Sequence, residues 1–338
     1  MLRLSHASAS VALCLSLSLA ACQGSSTTTT SGTGASGNAG GQGGGGAGGG
    51  AGGAGGEGLV GTPVKVANWN VRNFFDAVDN PAIDNDSEQV FSPSEYADKG
   101  EKVGAVLTAL AADVVVLSEV ENQTVLDDLN TNHLAGAYPH RAIVDSNDPR
   151  GIDVGVLSKL PLVDVVSHKD DMFTVEGSNA PVYQFARDCM EFHFEVDGRR
   201  VVLLGVHYRS KGPPDDADKR LAEAQRSRAI AAEVAALHPD AAIAILGDFN
   251  DLPGSLPVEW VRLGPGGEPW IDAPDFVPTQ DRWTFEFMGD LELIDHQFSN
   301  PVLASMLDQS SVVIRHGADV EAAGDHAPIM ATYYVTAP

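Results

Sequence analysis

Residues Ala241–Asp251 read Ala-Ala-Ile-Ala-Ile-Leu-Gly-Asp-Phe-Asn-Asp, an unbroken apolar run that stops on Gly247 and turns at once to Asp248, Phe249, Asn250 and Asp251. A short apolar run closed by turn residues suits a strand buried on both faces, although periodicity alone does not separate it from a buried helix. The abrupt switch from aliphatic side chains to Asp and Asn favours a strand end. Carboxylate and carboxamide groups at the tip of a rigid core strand are firmly held, which suits metal-assisted or general-base chemistry. A strand followed by an ordinary polar turn has the same letters, since Gly, Asp and Asn are common turn formers.

The pattern recurs along the chain. Val64–Val71 runs into Asn70 and Arg72, Asp113–Glu119 ends on an acid, and Val201–Val206 leads into His207-Tyr208-Arg209-Ser210-Lys211. Leu293–Phe298 carries Asp295 and His296, and Asp325-His326 precedes the apolar run Ile329–Val335. Ser92 or Ser94 is placed to cap a helix reaching about Leu110, with Val103, Val106, Leu107 and Leu110 on one face. That helix joins the first two strands in a parallel βαβ relation. Gln123–Leu134 and Leu221–Leu237 read as further helices. Arg141–Asp145 and Arg150–Ser158 read as strands, with Pro161–Val166 as the neighbour of the latter. Val182–Ala186, Glu191–Val196 and Val201–His207 form a meander turned at Asp197-Gly198. Residues 252–281 read as a loop over one end of the sheet, and Trp283–Phe287, Leu293–Phe298, Val312–Ile314 and Ile329–Val335 complete the strands. The expected architecture is a four-layer α/β sandwich, with two mixed β-sheets packed face to face and helices outside, formed by one domain over residues 59–338.

What precedes that domain is of another kind. Met1–Ala21 has one basic residue, Arg3, and an apolar stretch, Val11–Ala20, too short to span a bilayer, so it reads as an export signal. Leu19-Ala20-Ala21-Cys22 resembles the lipobox of bacterial lipoproteins. The resemblance implies that Cys22 becomes an acylated N-terminus, with Gln23 pointing to an outer membrane; an ordinary secretory cleavage after Ala20 or Ala21 is the other reading. Residues 22–58 are almost entirely Gly, Ser, Thr and Ala beyond the cysteine and cannot bury enough apolar surface to offset ordering, so they form a flexible linker.

Forty-six acidic residues oppose twenty-one basic ones, for a formal charge of −25. Such a surface repels nucleic acid and anionic lipid at long range and argues against sequence-independent coating of DNA. It does not exclude local binding of a phosphodiester through a divalent cation, which inverts the local charge logic. Cys14, Cys22 and Cys189 make no disulfide framework, and no Cys/His spacing suits zinc.

Taken in order, Asn68-Trp69-Asn70-Val71, Leu117-Ser118-Glu119, Gly247-Asp248-Phe249-Asn250, Leu293-Ile294-Asp295-His296 and Gly324-Asp325-His326-Ala327-Pro328 resemble the signatures of the endonuclease/exonuclease/phosphatase family, across Val64–Val335. Arg150–Leu157, His207–Lys211 and Trp283-Thr284-Phe285 look more like its secreted bacterial nuclease branch than its lipid phosphatases. The resemblance implies hydrolysis of a phosphoester by in-line attack of water, with Mg²⁺, or Mn²⁺ or Ca²⁺, on oxygen ligands from Asn70, Glu119 and Asp325. It implies that Asp295 orients His326 as general base or charged partner of the phosphate, that Asp248 activates water, and that Asn250 donates to a non-bridging oxygen. His207 would bind phosphate or assist the leaving group, and Arg72, Arg209 and Lys211 would hold substrate phosphates. Arg72 stands where some members have a second metal-binding acid, which weakens the case for two metals; His296 is expected to be structural. Expected partners are a nucleic acid or another phosphodiester and the membrane through Cys22, with no obligate protein partner. Two competing readings remain: the same site acting on a phospholipid or sugar phosphate, and a non-catalytic surface-binding module on a tether.

Overall fold

The computed structural model describes residues 59–80 and 88–338; the export signal, Cys22 and the linker to Gly58 lie outside the described residues. In chain order the elements are β1 (Thr62–Phe74), α1 (Pro93–Leu110), β2 (Val114–Val120), α2 (Gln123–Asp128, continued by one wide turn), β3 (His140–Ile143), β4 (Asp153–Ser158), β5 (Asp164–Ser167), β6 (Cys189–Val196) and β7 (Arg199–His207). There follow α3 (Ala217–Leu237), β8 (Ala242–Asp248), α4 (Leu256–Arg262), β9 (Ile271–Asp272), β10 (Phe285–Phe287), β11 (Asp290–Glu292), β12 (Asp295–Ser299), α5 (Pro301–Ala304), β13 (Leu307–Ile314), α6 (Ala318–Ala323) and β14 (Ile329–Val335).

Two six-stranded sheets, β13-β14-β1-β2-β4-β3 and β5-β6-β7-β8-β12-β9, form the centre. Strand pleating sorts their residues by parity. Val64, Val66, Val114, Val116, Val154 and Val156 meet Phe192, Leu203, Ala244 and Leu246 in the seam between the sheets. Alternate residues face outward: Trp69, Val115 and Leu117 lie under α1, and Val202, Leu204, Ile243 and Ile245 lie with α3 and α4. The result is the expected four-layer α/β sandwich. The seam is tight: a Cβ at Gly205 would come within 2.9 Å of both Val116 and Val154.

Local chemistry accounts for the elements that carry the site. Ser92 caps α1 by accepting from Glu95 N while the Glu95 carboxylate accepts from Ser92 N, with Pro93 in the first turn. β1 and β2 are parallel. Asp197 and Gly198, both at positive φ, turn the β6–β7 hairpin.

Three expectations need correction. Pro161–Val166 was expected beside β4, but the chain crosses between sheets, leaving Leu160 and Leu162 against the seam core, and β5 pairs with β6. Val182–Ala186 is not a strand of the meander. Only Tyr183 bridges, to Phe173, while Val182 is 53% exposed and Pro181 offers no N–H. Residues 252–281 are not only loop: Pro257 at the start of α4 and the buried Val258 and Val261 build a helix that packs on α3.

Candidate active site

Within the second sheet, His207, Asp248 and Asp295 sit directly opposite one another across β7, β8 and β12. Parity turns them inward: Ala244 and Leu246 face the seam, so Asp248 does too, while Phe298 and His296 face the helices and leave Asp295 on the inner side. Gly247 has to be glycine, since its φ is +137° and a Cβ would lie 2.0 Å from Val206 O.

β14 begins just after His326 and brings its ring to this row. His326 Nδ1 lies 2.7 Å from Asp295 Oδ2, and His326 Nε2 lies 3.9 Å from Asp248 Oδ2. Asp248, Asp295 and His326 offer ligand atoms within 4.8 Å of one another, close enough to share an ion. Asp295 Oδ2 and His326 Nδ1 nevertheless use those atoms on each other, so the trio is better described as an oriented imidazole. Trp69 Nε1 donates to His326 O at 2.8 Å, and Thr284 Oγ1 accepts from Ile294 N and Asp295 N, fixing the backbone on both sides of the pair.

The first sheet closes the other side through a bulge. By parity Glu119 would point outward beneath α1. Its φ of 63° and a register shift between Ser118 and Val120 re-aim it. Its side chain is held by Asn73 N at 2.8 Å and Asn70 Nδ2 at 3.2 Å, with His207 Nε2 at 3.9 Å. Asn70 Nδ2 also donates to Asp248 Oδ2 at 3.0 Å, while its Oδ1 accepts from Arg72 N. Asn70 therefore ties two carboxylates together and turns its oxygen, the atom expected to ligate metal, toward the backbone. Arg72, Asn73, Glu119 and Asn250 are all non-glycine residues at positive φ, a local concentration of the backbone strain that functional sites store.

The remaining expected residues divide. Asp325 pairs with Arg72 Nε at 3.3 Å on the open side of the cluster. Asn250 N donates to Asp248 Oδ1 at 2.7 Å, and its side-chain amide donates to Tyr208 O. His207 Nε2 lies 3.5 Å from Asp248 Oδ2. Arg209 and Lys211 are not joined to the cluster by any hydrogen bond or ion pair among the described residues. Lys211 is held by Asp251 at 2.9 Å, and the Arg209 guanidinium rests on Pro214 O. His296, its ring fully buried, pairs with Asp272 at 2.6 Å behind the sheet, a structural placement.

Residues the sequence reading missed support this arrangement. Lys99 sends its ammonium to the carbonyls of Val71 and Ala323, joining the β1 bend to the turn before Asp325; burial lowers its pKa to about 8 against the pull of Asp325. Asp148 holds Arg150 and Arg187 beside the Glu119 and His207 end. An isolated lysine on an amphipathic helix and an Asp-Pro-Arg turn give no sequence signal for such roles.

Electrostatics make the two imidazoles unlike. Burial, Arg187, Arg150 and His326 together hold His207 well below the usual histidine value, so it is neutral at pH 7. Burial also disfavours charge on His326, but Asp295, Asp248 and Asp325 outweigh it and raise its pKa. Burial, then Asp295, raises Asp248. His207 Nδ1 and Asp295 Oδ1 are buried with no hydrogen-bond partner among the described residues. The cluster thus combines a charged imidazole, a neutral imidazole and several carboxylate oxygens. Oxygen donors led by Glu119, without a thiolate, suit a hard divalent cation.

The sequence profile described as Endonuclease/Exonuclease/phosphatase family matches residues 65–260, more than half the chain, and spans Asn70, Glu119, His207, Asp248 and Asn250. The chain belongs to that family. Membership carries a phosphoester-hydrolase chemistry supported by divalent metal. Among solved structures the chain is similar to TDP2 from Caenorhabditis elegans, 18% identical with a TM-score of 0.54 over 82% of this chain and 76% of that one. It is similar also to the human Nocturnin catalytic domain with bound sulfate, 12% identical with a TM-score of 0.58 over 81% and 95%. A third is D. rerio TDP2 complexed with a single-strand DNA product, 15% identical with a TM-score of 0.52 over 81% and 99%. At these identities the likeness is one of fold. A search of curated proteins finds no match.

Proposed function

We propose that this protein is an exported nuclease of the secreted bacterial branch, anchored to the cell envelope through an acylated Cys22, that hydrolyses phosphodiester bonds with Mg²⁺ or a similar hard cation. The observation that carries the catalytic part is the buried line Asp295–His326–Asp248, with Glu119 joined to Asp248 through Asn70. The D. rerio relative holds a single-strand DNA product, which supports a nucleic acid as substrate.

Glu119 would hold the cation, with Asp325 as a further oxygen donor, while Asn70, whose amide nitrogen donates to both Glu119 and Asp248, keeps those carboxylates in place. When bound, the cation supplies Lewis-acid polarisation of the phosphoryl group and offsets its charge. Asp248 is steered on one oxygen by Asn250 N and on the other by Asn70 Nδ2, so it is fixed to accept a proton from an attacking water. His326, kept protonated and oriented through Nδ1 by Asp295, presents Nε2–H toward the phosphoryl oxygens. Neutral His207, 3.5 Å from Asp248, and the remaining N–H of the Asn250 amide are available to non-bridging or leaving oxygens.

The deciding experiment is a panel of DNA, RNA, phosphatidylcholine vesicles and inositol phosphate at low salt, with Mg²⁺ and then EDTA. The proposal expects cleavage of DNA or RNA that EDTA abolishes. The −25 charge favours a second reading, with substrate a phospholipid headgroup or sugar phosphate; cleavage of vesicles or inositol phosphate with DNA and RNA intact would decide for it. No cleavage of any substrate would favour a tethered binding module. Palmitate labelling that disappears in Cys22→Ser tests the anchor.

A further inference from the structure

The reaction centre gathers four carboxylates, Glu119, Asp248, Asp295 and Asp325, in a chain of formal charge −25. A phosphodiester anion has to approach this group, and the cationic side chains expected to help it are each already paired, Arg72 with a carboxylate of the group itself and the other two away from it. Arg72 lies on Asp325, Lys211 on Asp251, and the Arg209 guanidinium faces a backbone carbonyl.

On the Glu119–His207 side a different cation is in place. Arg150 lies just before β4, whose Asp153 pairs with Val120, the neighbour of Glu119. Arg187 lies just before β6, whose Cys189 pairs with Val206, the neighbour of His207. The two guanidinium groups thus come from opposite sheets and meet on one carboxylate. Asp148 accepts from Arg150 Nε at 3.0 Å and from its Nη2 at 3.3 Å, and Arg187 Nε lies 2.8 Å away as an ion pair whose N–H is not aligned for a hydrogen bond. Asp148 also caps Arg150 N at 2.9 Å, and Arg187 Nη1 donates to Tyr208 O, the carbonyl that receives the Asn250 amide.

Two guanidinium groups on one carboxylate leave a net positive charge. A structural clip between the sheets would need only one of them. Arg187 is 3% exposed and has no room for substrate, whereas Arg150 is 37% exposed and its Nη1 has no hydrogen-bond partner among the described residues. The strand pairings set both arginines on the Glu119–His207 side of the reaction centre, and the charges are felt across that gap: both arginines disfavour charge on His207, and Glu119 favours it on Arg150.

We propose that Arg150 is a substrate-phosphate ligand, donating through Nη1 to a non-bridging oxygen beside His207, with Asp148 as the positioning residue that presets it and Arg187 as the second cation that keeps the trio positive. The proposal rests on the phosphodiester-hydrolase reading above. A planar, always-charged fork held on one edge loses little entropy when its other edge meets phosphate.

The test measures turnover of bis(p-nitrophenyl) phosphate and calorimetric binding of inorganic phosphate, both with Mg²⁺, for wild type, Arg150→Ala, Arg150→Lys and Asp148→Asn, with each melting temperature. Arg150→Ala should lower kcat/KM by about 100-fold, the scale of losing one preorganised oxyanion donor, and weaken phosphate binding by about tenfold. Arg150→Lys should recover part of both. Asp148→Asn should weaken phosphate binding by less than Arg150→Ala does. Phosphate affinity and kcat/KM unchanged in folded Arg150→Ala or Arg150→Lys would overturn the proposal, as would a wild type that binds no phosphate. A wild type that binds phosphate, loses that binding in Arg150→Ala and turns over no phosphodiester would overturn the hydrolase reading while keeping Arg150.

Discussion

Two His–Asp pairs lie almost back to back on β12, and they are nearly identical in themselves. His326 Nδ1 meets Asp295 at 2.7 Å, and His296 Nδ1 meets Asp272 at 2.6 Å. They differ in what the second ring nitrogen finds. His296 Nε2 is 3.2 Å from Asp251 O and its ring packs against Phe249 and Phe298, so the imidazole is fully occupied. His326 Nε2 faces Asp248 and the open side of the cluster. A paired imidazole can do chemistry only where one nitrogen is left for a reactant; where both are occupied, the same pair is a core fastener.

The largest expected effect falls on the open pair. His326→Ala should lower kcat per folded molecule on a phosphodiester by about 10³-fold, within the range of a positioned acid–base group, and it should also lower the melting temperature, since Asp295 is left buried without a side-chain partner, measured by initial rates and calorimetry on one preparation. Glu119→Gln should follow, raising the Mg²⁺ concentration needed for half-maximal rate, read from a metal titration after EDTA treatment; an unchanged requirement would move the cation away from Glu119. His296→Ala should lose stability without losing the chemistry. Buried Asp272 would lose its nearest partner and keep only Gln297 N at 3.0 Å and Arg262 at 3.8 Å, which should cost about 2 kcal/mol of stability in chemical denaturation, with kcat per folded molecule kept within a few-fold. Equal losses of activity in His326→Ala and His296→Ala would erase the contrast.

The smallest effect concerns a third pairing, on β6, where the Glu191 carboxylate lies between His168 and His193 at 2.6 Å from each. Burial alone would raise Glu191, but the two imidazoles hold it down at about 2, below its ordinary 4.5. A carboxylate depressed in the folded state stabilises the protein above its unfolded value, and that contribution is lost as pH falls through the folded one. Glu191→Gln should therefore be less stable than wild type at pH 6, with the gap closing between pH 4.5 and about 2, as read from urea midpoints across that range.

The sequence shows the second-sheet half of the site well and the first-sheet half poorly. His207, Asp248 and Asp295 end or begin strands in simple pleat order, so apolar runs and their polar tips locate all three. Glu119 too is marked as the acid that ends an apolar run, but the reason it can face the site is a left-handed residue in a bulge, which no propensity marks for glutamate. Lys99 and Arg187 act through contacts between segments far apart in the chain, and residue type alone cannot announce these. The same limit explains β5: its composition reads as a strand, while the choice of sheet is made by Leu160 and Leu162 crossing the seam.

The proposed reaction turns on Asp248 as the group that takes the proton from water in a metal-assisted phosphodiester cleavage. The most direct measurement is the initial rate of DNA hydrolysis in Mg²⁺ by Asp248→Asn, which keeps shape and removes the base. The expected result is a loss of about 10³-fold with the fold intact by circular dichroism. A folded Asp248→Asn that cleaves DNA at the wild-type rate would contradict it.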